Sequence, residues 1–176
     1  MKKRLLSAFM ALALCLTLLP APAWAAETEG TAENVAEVTI SDGTTTQHTD
    51  IEAAFTAAQE AASATVKLLT DVTIPKNTDG YSYGIQLKSG NITLDLNGCT
   101  IQTTGGTSGF VPRDAVFYIE GGGSSHSSLT VQDSGNGGKI VQPNGGQAIN
   151  VGSNGTLTVE SGAIEVTSSD ESNPTS

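Results

Sequence analysis

Basic side chains are scarce in this 176-residue chain, which has 8 Lys and Arg against 18 Asp and Glu and a net charge of −10. Three of the basic residues lie at positions 2–4, so residues 26–176 hold five basic and 18 acidic side chains, a balance of −13. Proteins that bind a nucleic-acid duplex draw much of their affinity from Lys and Arg that neutralise phosphates. Anionic membrane surfaces attract the same side chains. The composition therefore excludes nucleic acid and anionic membranes as partners.

Cysteine and tryptophan are also rare. The chain has two Cys, at 15 and 99, and one Trp, at 24. Because Cys15 and Trp24 fall in the predicted leader described below, Cys99 would be left alone, and an internal disulfide is excluded. No His or Arg adjoins Cys99 to activate a thiolate. We therefore interpret Cys99 as a small, half-buried strand residue.

The first 25 residues have the three parts of a secretory signal peptide. Lys2, Lys3 and Arg4 form a positive start, residues 5–19 form an apolar run of fifteen, and Ala23-Trp24-Ala25 offers a cleavage site before Ala26. Fifteen apolar residues are short for a membrane span, which needs about 20. The leader is typical of bacteria and predicts a protein secreted or held at the cell surface, with no membrane span after cleavage.

Composition divides the rest of the chain near residue 63. Residues 26–63 hold nine Ala and two Gly, whereas residues 64–176 hold four Ala and 18 Gly. Ile51, Phe55, Ala58 and Ala62 recur at helical spacing and predict an amphipathic helix that begins at Thr49 or Asp50. We predict a flexible acidic lead-in over 26–34, a strand–helix–strand cap over 35–75, strands over 76–166, and a polar tail or the start of further sequence over 167–176.

Beyond residue 80 the sequence repeats a three-part unit three times. Each unit has a short apolar strand, a turn, a second strand, a turn with Gly, and a third apolar anchor. The equivalent positions are Ile85, Phe117 and Ile149 in the first strand, Leu94, Leu129 and Leu157 in the second, and Ile101, Ile140 and Ile164 in the third. A period near 32 residues is typical of stacked repeats, in which neighbouring units bury a common core.

The repeat predicts an all-β fold, a right-handed parallel β-helix solenoid with an N-terminal strand and α-helix as its cap. Asn-Gly pairs at 97–98, 136–137, 144–145 and 154–155 predict sharp turns that use positive φ. An all-β sandwich is the alternative fold. No comparable cap follows the third unit, because residues 167–176 are polar, and we expect the chain to be the first part of a longer array.

Three segments resemble a known family. The strand–helix–strand opening with Phe55-Thr56-Ala57-Ala58, the segment Ile92–Ile101 and the segment Leu157–Ile164 resemble pectate-lyase-like right-handed β-helix domains of bacterial secreted and cell-surface proteins. The resemblance covers roughly residues 36–166. It implies an adhesin-like or carbohydrate-binding role, with an extracellular polysaccharide or a host or cell-wall glycan as partner. Cys99 stands where the family usually has Lys.

Candidate site residues are few. Tyr81, Tyr83, Phe110 and Tyr118 flank the first strands of adjacent repeats, and aromatic rings there would stack a glycan. Ordinary edge packing is the alternative interpretation. Asp133 and Glu160 fall at similar places in two repeats and would hold Ca²⁺ if they stacked, although solvent-facing strand ends explain them as well. We predict no other cofactor and no catalytic residue.

The sequence thus predicts an exported, non-catalytic surface module for adhesion or carbohydrate binding. The second hypothesis is a polysaccharide lyase or glycoside hydrolase on the same fold, or a fragment of one. Its candidate base, Arg113, adjoins Asp114 and is explained as well by a solvated loop ion pair. A third hypothesis is a structural stalk without a ligand.

Overall fold

The computed structural model describes residues 32–75, 83–104 and 115–167. These residues form thirteen strands and one helix. The elements before residue 75 are β1 (Ala36–Ile40), β2 (Thr45–His48), α1 (Ile51–Glu60), β3 (Ser63–Leu68) and β4 (Val72–Ile74). The later strands are β5 (Tyr83–Leu87), β6 (Gly90–Asp95), β7 (Thr100–Thr103), β8 (Ala115–Ile119), β9 (Ser127–Gln132), β10 (Lys139–Gln142), β11 (Gln147–Val151), β12 (Gly155–Val159) and β13 (Ala163–Val166).

The described strands form three separate sheets, each built mainly from every third strand. The largest has the order β12-β9-β6-β3-β1-β2, the second β13-β10-β7-β4, and the third β11-β8-β5. Pairs that join every third strand are parallel, whereas β1 is antiparallel to both β2 and β3. Within the described ranges, no helix is both long and apolar enough to cross a membrane.

The predicted fold class, an all-β right-handed parallel β-helix solenoid, is wrong. The described residues form a mixed α/β structure in which three sheets stay separate and none closes on itself. Helix α1 buries Ile51, Ala54, Phe55 and Ala58 in the same core as the strands. The prediction treated the helix and first strands as a lid on a purely parallel stack. In the structure they are part of the core, and β1 and β2 extend the largest sheet in antiparallel sense.

Strand register confirms two of the three predicted sets of equivalent residues. Phe117 pairs with Ile85 and Ile149. Ile140 pairs with Ile101 and Ile164. In the middle set, Leu129 pairs with Leu157 as predicted, but on β6 its partner is Ile92 and not Leu94. The error is two residues, which leaves the side chain on the same face of the strand.

Helix α1 begins where the sequence predicted and ends earlier. The Asp50 carboxylate accepts a hydrogen bond of 2.7 Å from the Ala53 N–H and so caps the first turn. Phe55 packs against Phe117 edge to face, with ring centroids 5.4 Å apart. Ala62, predicted as part of the apolar stripe, lies beyond the helix with φ +59° and is exposed.

The side chain of Gln59 joins α1 to the outer edge of β5. Its amide nitrogen donates to the Gln86 carbonyl at 3.3 Å, and its oxygen accepts from the Lys88 N–H at 2.8 Å. Gln86 lies in β5, and Lys88 is the first residue after it. A neighbouring parallel strand bonds the carbonyl and the N–H of residues two apart in this way. The Gln59 amide therefore occupies the place of a peptide group at this edge.

The turns confirm most of the predicted Asn-Gly geometry. Positive φ occurs at both residues of the pairs 97–98, 136–137 and 144–145, and at Asn154 but not Gly155. Two such turns stack closely, since a Cβ on Gly135 would lie 2.2 Å from the backbone carbon of Asn97. Only glycine fits at position 135 without a backbone shift.

The strands β11, β12 and β13, one at the end of each sheet, expose apolar side chains to solvent. Val151, Val159, Ile164 and Val166 are 39–50% exposed. Their register partners one strand earlier include Ile119, Val131 and Ile140, all fully buried. The core is therefore covered at the α1 end and uncovered at β11, β12 and β13.

The predicted segment boundaries stay predictions. The strand–helix–strand segment 35–75 contains β1 to β4 and α1, and residues 76–166 contain β5 to β13. The predicted leader (1–25) and the tail from residue 168 lie outside the described residues.

Candidate functional site

Two of the four predicted aromatic residues lie together. The rings of Tyr83 on β5 and Tyr118 on β8 stack with centroids 4.2 Å apart and planes 11° from parallel. Both side chains are half-buried. Each ring therefore uses one face on the other, which leaves at most one face of each for a ligand. Tyr81 and Phe110 lie outside the described residues.

The two predicted calcium ligands are not brought together. Register pairs Val159 with Val131, so the position opposite Asp133 is Ser161, whose hydroxyl accepts from the Asp133 N–H at 2.7 Å. Glu160, one residue earlier, is exposed. Within the described residues, no group of three or more His, Cys, Asp or Glu side chains is placed to hold a metal ion. The calcium site stays a prediction without support from the geometry.

Asp133 instead organises a turn. Its carboxylate accepts hydrogen bonds from the backbone N–H groups of Gly98 (2.7 Å), Gly138 (2.8 Å) and Gly135 (3.2 Å). Burial raises the pKa of this carboxyl, but the backbone donors outweigh burial and hold the pKa below its ordinary value. A carboxylate with three backbone donors has a structural role, and none of the three bonds points to a ligand.

A face that sequence reasoning missed carries a continuous row of threonines. Strand register places one threonine on each strand of the six-stranded sheet, at directly opposed positions. We call this set the threonine row: Thr45, Thr39, Thr65, Thr93, Thr130 and Thr158. Each is half-buried or exposed. On β9, Thr130 alternates with the buried Leu129 and Val131, so the row lies on the side of the sheet away from the core.

A second polar row lies two residues away on the same face. Register aligns Ser63 with Asn91, Asn91 with Ser128, and Ser128 with Thr156. We call these four residues the serine–asparagine row. Side chains two apart on a strand are about 6.6–6.8 Å apart along it, and neighbouring strands about 4.7–4.9 Å. The two rows therefore form a regular grid of hydroxyl and amide groups.

A groove of about 250 Å³ lies between the two rows. It crosses β1, β3, β6 and β9, with Thr39, Thr65, Thr93 and Thr130 on one side and Ser63, Asn91 and Ser128 on the other. Ile40 and Ser41 at the end of β1 also line the groove, whose remaining lining residues, Ala64 and Ile92, lie between the rows. Their side chains are buried, so the floor of the groove is largely backbone. We call this feature the hydroxyl groove.

The described lining of the hydroxyl groove carries no charged side chain. The Ser128 hydroxyl donates to the Asn91 side-chain oxygen at 2.8 Å. This bond uses the oxygen of the Asn91 amide, whose nitrogen carries two further N–H donors. Serine and threonine hydroxyls both donate and accept, so the groove offers donors and acceptors in alternation without net charge.

The signal for this face is present in the sequence as a three-residue pattern. Ser63-Ala64-Thr65, Asn91-Ile92-Thr93, Ser128-Leu129-Thr130 and Thr156-Leu157-Thr158 each place two small polar residues around an apolar one. The pattern occurs once in each of the three repeats and once before them in β3, and a comparison of polar as well as apolar equivalences would have found it.

Comparison of the chain with models of protein families, with curated proteins and with solved structures finds no match. The assignment of a function therefore depends on the chemistry of the hydroxyl groove and the tyrosine pair.

Proposed function

We propose that this chain is an exported, non-catalytic surface module that binds carbohydrate, and that the hydroxyl groove is its binding site. The observation that carries the proposal is the uncharged grid of Thr, Ser and Asn side chains around an open groove. Sugars present hydroxyl groups that donate and accept in the same way as these side chains. The groove has a volume of about 250 Å³, less than the ~300–1,000 Å³ of sites that enclose drug-sized ligands.

The groove favours binding over cleavage. A glycoside hydrolase of the common type needs two carboxyl groups that flank one bond, about 5–9.5 Å apart. The described lining contains neither Asp nor Glu. Asp95, the acidic residue of β6, is buried and accepts from the N–H groups of Asn97 and Ser134, both at 3.0 Å. Arg113, the candidate base for a lyase, lies outside the described residues.

Tyr83 and Tyr118 remain a second candidate surface for the same function. Their stack lies on the three-stranded sheet, whereas the hydroxyl groove lies on the six-stranded sheet. Variants on the two sheets therefore test the two surfaces separately. Export and surface location are supported by the leader described above.

Retention of the purified chain on insoluble neutral polysaccharides tests the proposal. We expect retention by at least one of cellulose, mannan and xylan. The triple variant Thr65→Val, Thr93→Val, Thr130→Val keeps β-branched shape but removes three hydroxyls. Because each lost hydrogen bond costs about 0.5–1.5 kcal/mol, we expect retention to weaken by roughly tenfold or more.

Thr73→Val is the matched control. Thr73 is an exposed strand threonine on β4, in a different sheet, and its variant should bind as the unmodified chain does. Loss of binding in Tyr118→Ala but not in the triple variant would move the site to the tyrosine pair. No retention on any neutral polysaccharide, or release of unsaturated uronates from pectin, would overturn the proposal.

A further inference from the structure

We infer that the hydroxyl groove binds the interior of a linear, neutral polysaccharide whose chain axis runs across the strands. This inference rests on the proposed function and adds to it the class of ligand and its orientation. A single sugar, a chain end and an acidic polymer are the alternatives that the geometry disfavours.

The direction in which the hydroxyl groove runs follows from strand register. The groove is lined by equivalent positions on four successive strands of the six-stranded sheet, β1, β3, β6 and β9. Its long direction is therefore perpendicular to the strands. Three inter-strand steps span about 14 Å. That length exceeds one sugar residue, so a ligand that fills the groove has more than one residue.

The two sides of the groove are periodic. Thr65, Thr93 and Thr130 face Ser63, Asn91 and Ser128 across it, one pair on each of β3, β6 and β9. A ligand that meets similar hydroxyl and amide groups at every step of about 4.8 Å gains most when it repeats its own hydroxyl groups in the same direction. A linear polysaccharide has this property, and a small non-repeating molecule does not.

The groove is open along its axis. The threonine row continues beyond it to Thr45 on β2 and Thr158 on β12, and both side chains are exposed. A site for a chain end needs a wall that stops the chain. Here the face continues past the groove in both directions, which fits a chain that passes through.

The absence of charged side chains from the described lining and the acidic composition of the chain favour a neutral polymer over an acidic one. The described lining has no basic side chain, and the whole chain has 18 acidic residues against eight basic ones. A polyuronate would bring carboxylates to a site without a cation and to a protein of the same sign. Neutral glycans meet no such repulsion.

Affinity as a function of ligand length tests the inference. The purified chain is titrated calorimetrically with linear β-1,4 oligomers of glucose, mannose and xylose of one to six residues, and with galacturonate oligomers of the same lengths. We expect at least a tenfold gain in affinity from the monomer to the tetramer in at least one neutral series, with little further gain at six residues. We expect no measurable binding of the galacturonate oligomers.

Two single variants locate the polymer. Thr65 and Thr130 are two strands apart, so only a ligand of several residues contacts both. Thr65→Val and Thr130→Val should each weaken hexamer binding several-fold, and Thr73→Val should not. Equal affinity for monomer and hexamer would overturn the inference and leave the proposed function standing. Tighter binding of galacturonate oligomers would overturn the neutral ligand class. Absence of binding to every neutral oligomer and polysaccharide would overturn both proposals.

Discussion

The Gln59 side chain gives the sharpest test of how the core is closed at its first edge. We expect Gln59→Leu to destabilise the protein by about 1–2 kcal/mol, because two hydrogen bonds to β5 are lost and each contributes about 0.5–1.5 kcal/mol. Solvent reaches this half-buried side chain, and the bond to the Gln86 carbonyl is long at 3.3 Å, so the lower part of the summed range applies. Leucine and glutamine have similar helix propensities, so α1 itself is unaffected.

Urea unfolding followed by circular dichroism measures this change, and thermal unfolding should show a midpoint about 2–8 °C lower. Gln59→Glu keeps an acceptor for the Lys88 N–H, whose bond is the shorter at 2.8 Å, but it sets an oxygen against the Gln86 carbonyl in place of the donor, so it should also destabilise the protein. Gln102→Leu is the control, since the Gln102 amide donates to the exposed Thr73 hydroxyl at 3.2 Å and does not join α1 to β5. Our account of this edge is wrong if Gln59→Leu and Gln102→Leu unfold at the same urea concentration.

Three further predictions concern turns and the Cys99 thiol. Gly135→Ala should cost about 1–3 kcal/mol in urea unfolding, because the added Cβ meets the Asn97 backbone at 2.2 Å, whereas Gly122→Ala, with nothing within 4 Å, should be neutral; equal effects would contradict the stacked turns. Asp133 has a depressed pKa in the folded state, so its hydrogen bonds stabilise the protein above the ordinary carboxyl pKa of 3.8 and are lost as pH falls below it. Asp133→Asn should therefore reduce the loss of stability on acidification below about pH 4, and an unchanged loss would contradict the role of this carboxylate. Burial, with the nearby Asp71 and Asp133 carboxylates, raises the pKa of the Cys99 thiol, so iodoacetamide at pH 8 should alkylate it more slowly than in the urea-unfolded chain, and equal rates would contradict this.

Periodicity in the sequence predicts which residues face the core better than it predicts register. Ile85, Phe117 and Ile149 pair as expected, and each is the third residue of its strand. In the middle strand, Ile92 and Leu94 are both apolar and two apart, and either fits the same face. A pattern with period two cannot distinguish such alignments. Only the length of the preceding turn decides between them.

The fold class was misjudged for a different reason. The sequence shows an amphipathic helix over Ile51–Glu60, but its pattern does not say how far its apolar residues enter a core built by strands. Phe55 contacts Phe117, a residue 62 positions later, and such a tertiary contact cannot be deduced from the local pattern of the helix. Antiparallel pairing of β1 is equally invisible, because parallel and antiparallel strands bury the same alternate residues.

The candidate site was missed because the search looked for aromatic and charged side chains. Thr65, Thr93 and Thr130 read individually as ordinary strand residues, since threonine favours strands. They form a row only because strand register sets them side by side on adjacent strands, although they are 28 and 37 residues apart in the sequence. The tyrosine prediction found residues that do meet, but on another sheet and with their faces turned to each other.

Because β11, β12 and β13 are exposed to solvent, we expect local unfolding to cost less free energy at this end of the core than at the α1 end. At the α1 end, Gln59 and four buried helix residues must detach before a strand can leave. At the other end, Val159, Ile164 and Val166 already contact solvent, so the last strands separate at a smaller cost in buried area. Backbone amides of β12 and β13 should therefore exchange hydrogen before those of β9 and β10, and these before those of β6 and β7. The molecule loses its structure in one direction, from the last strands towards the helix.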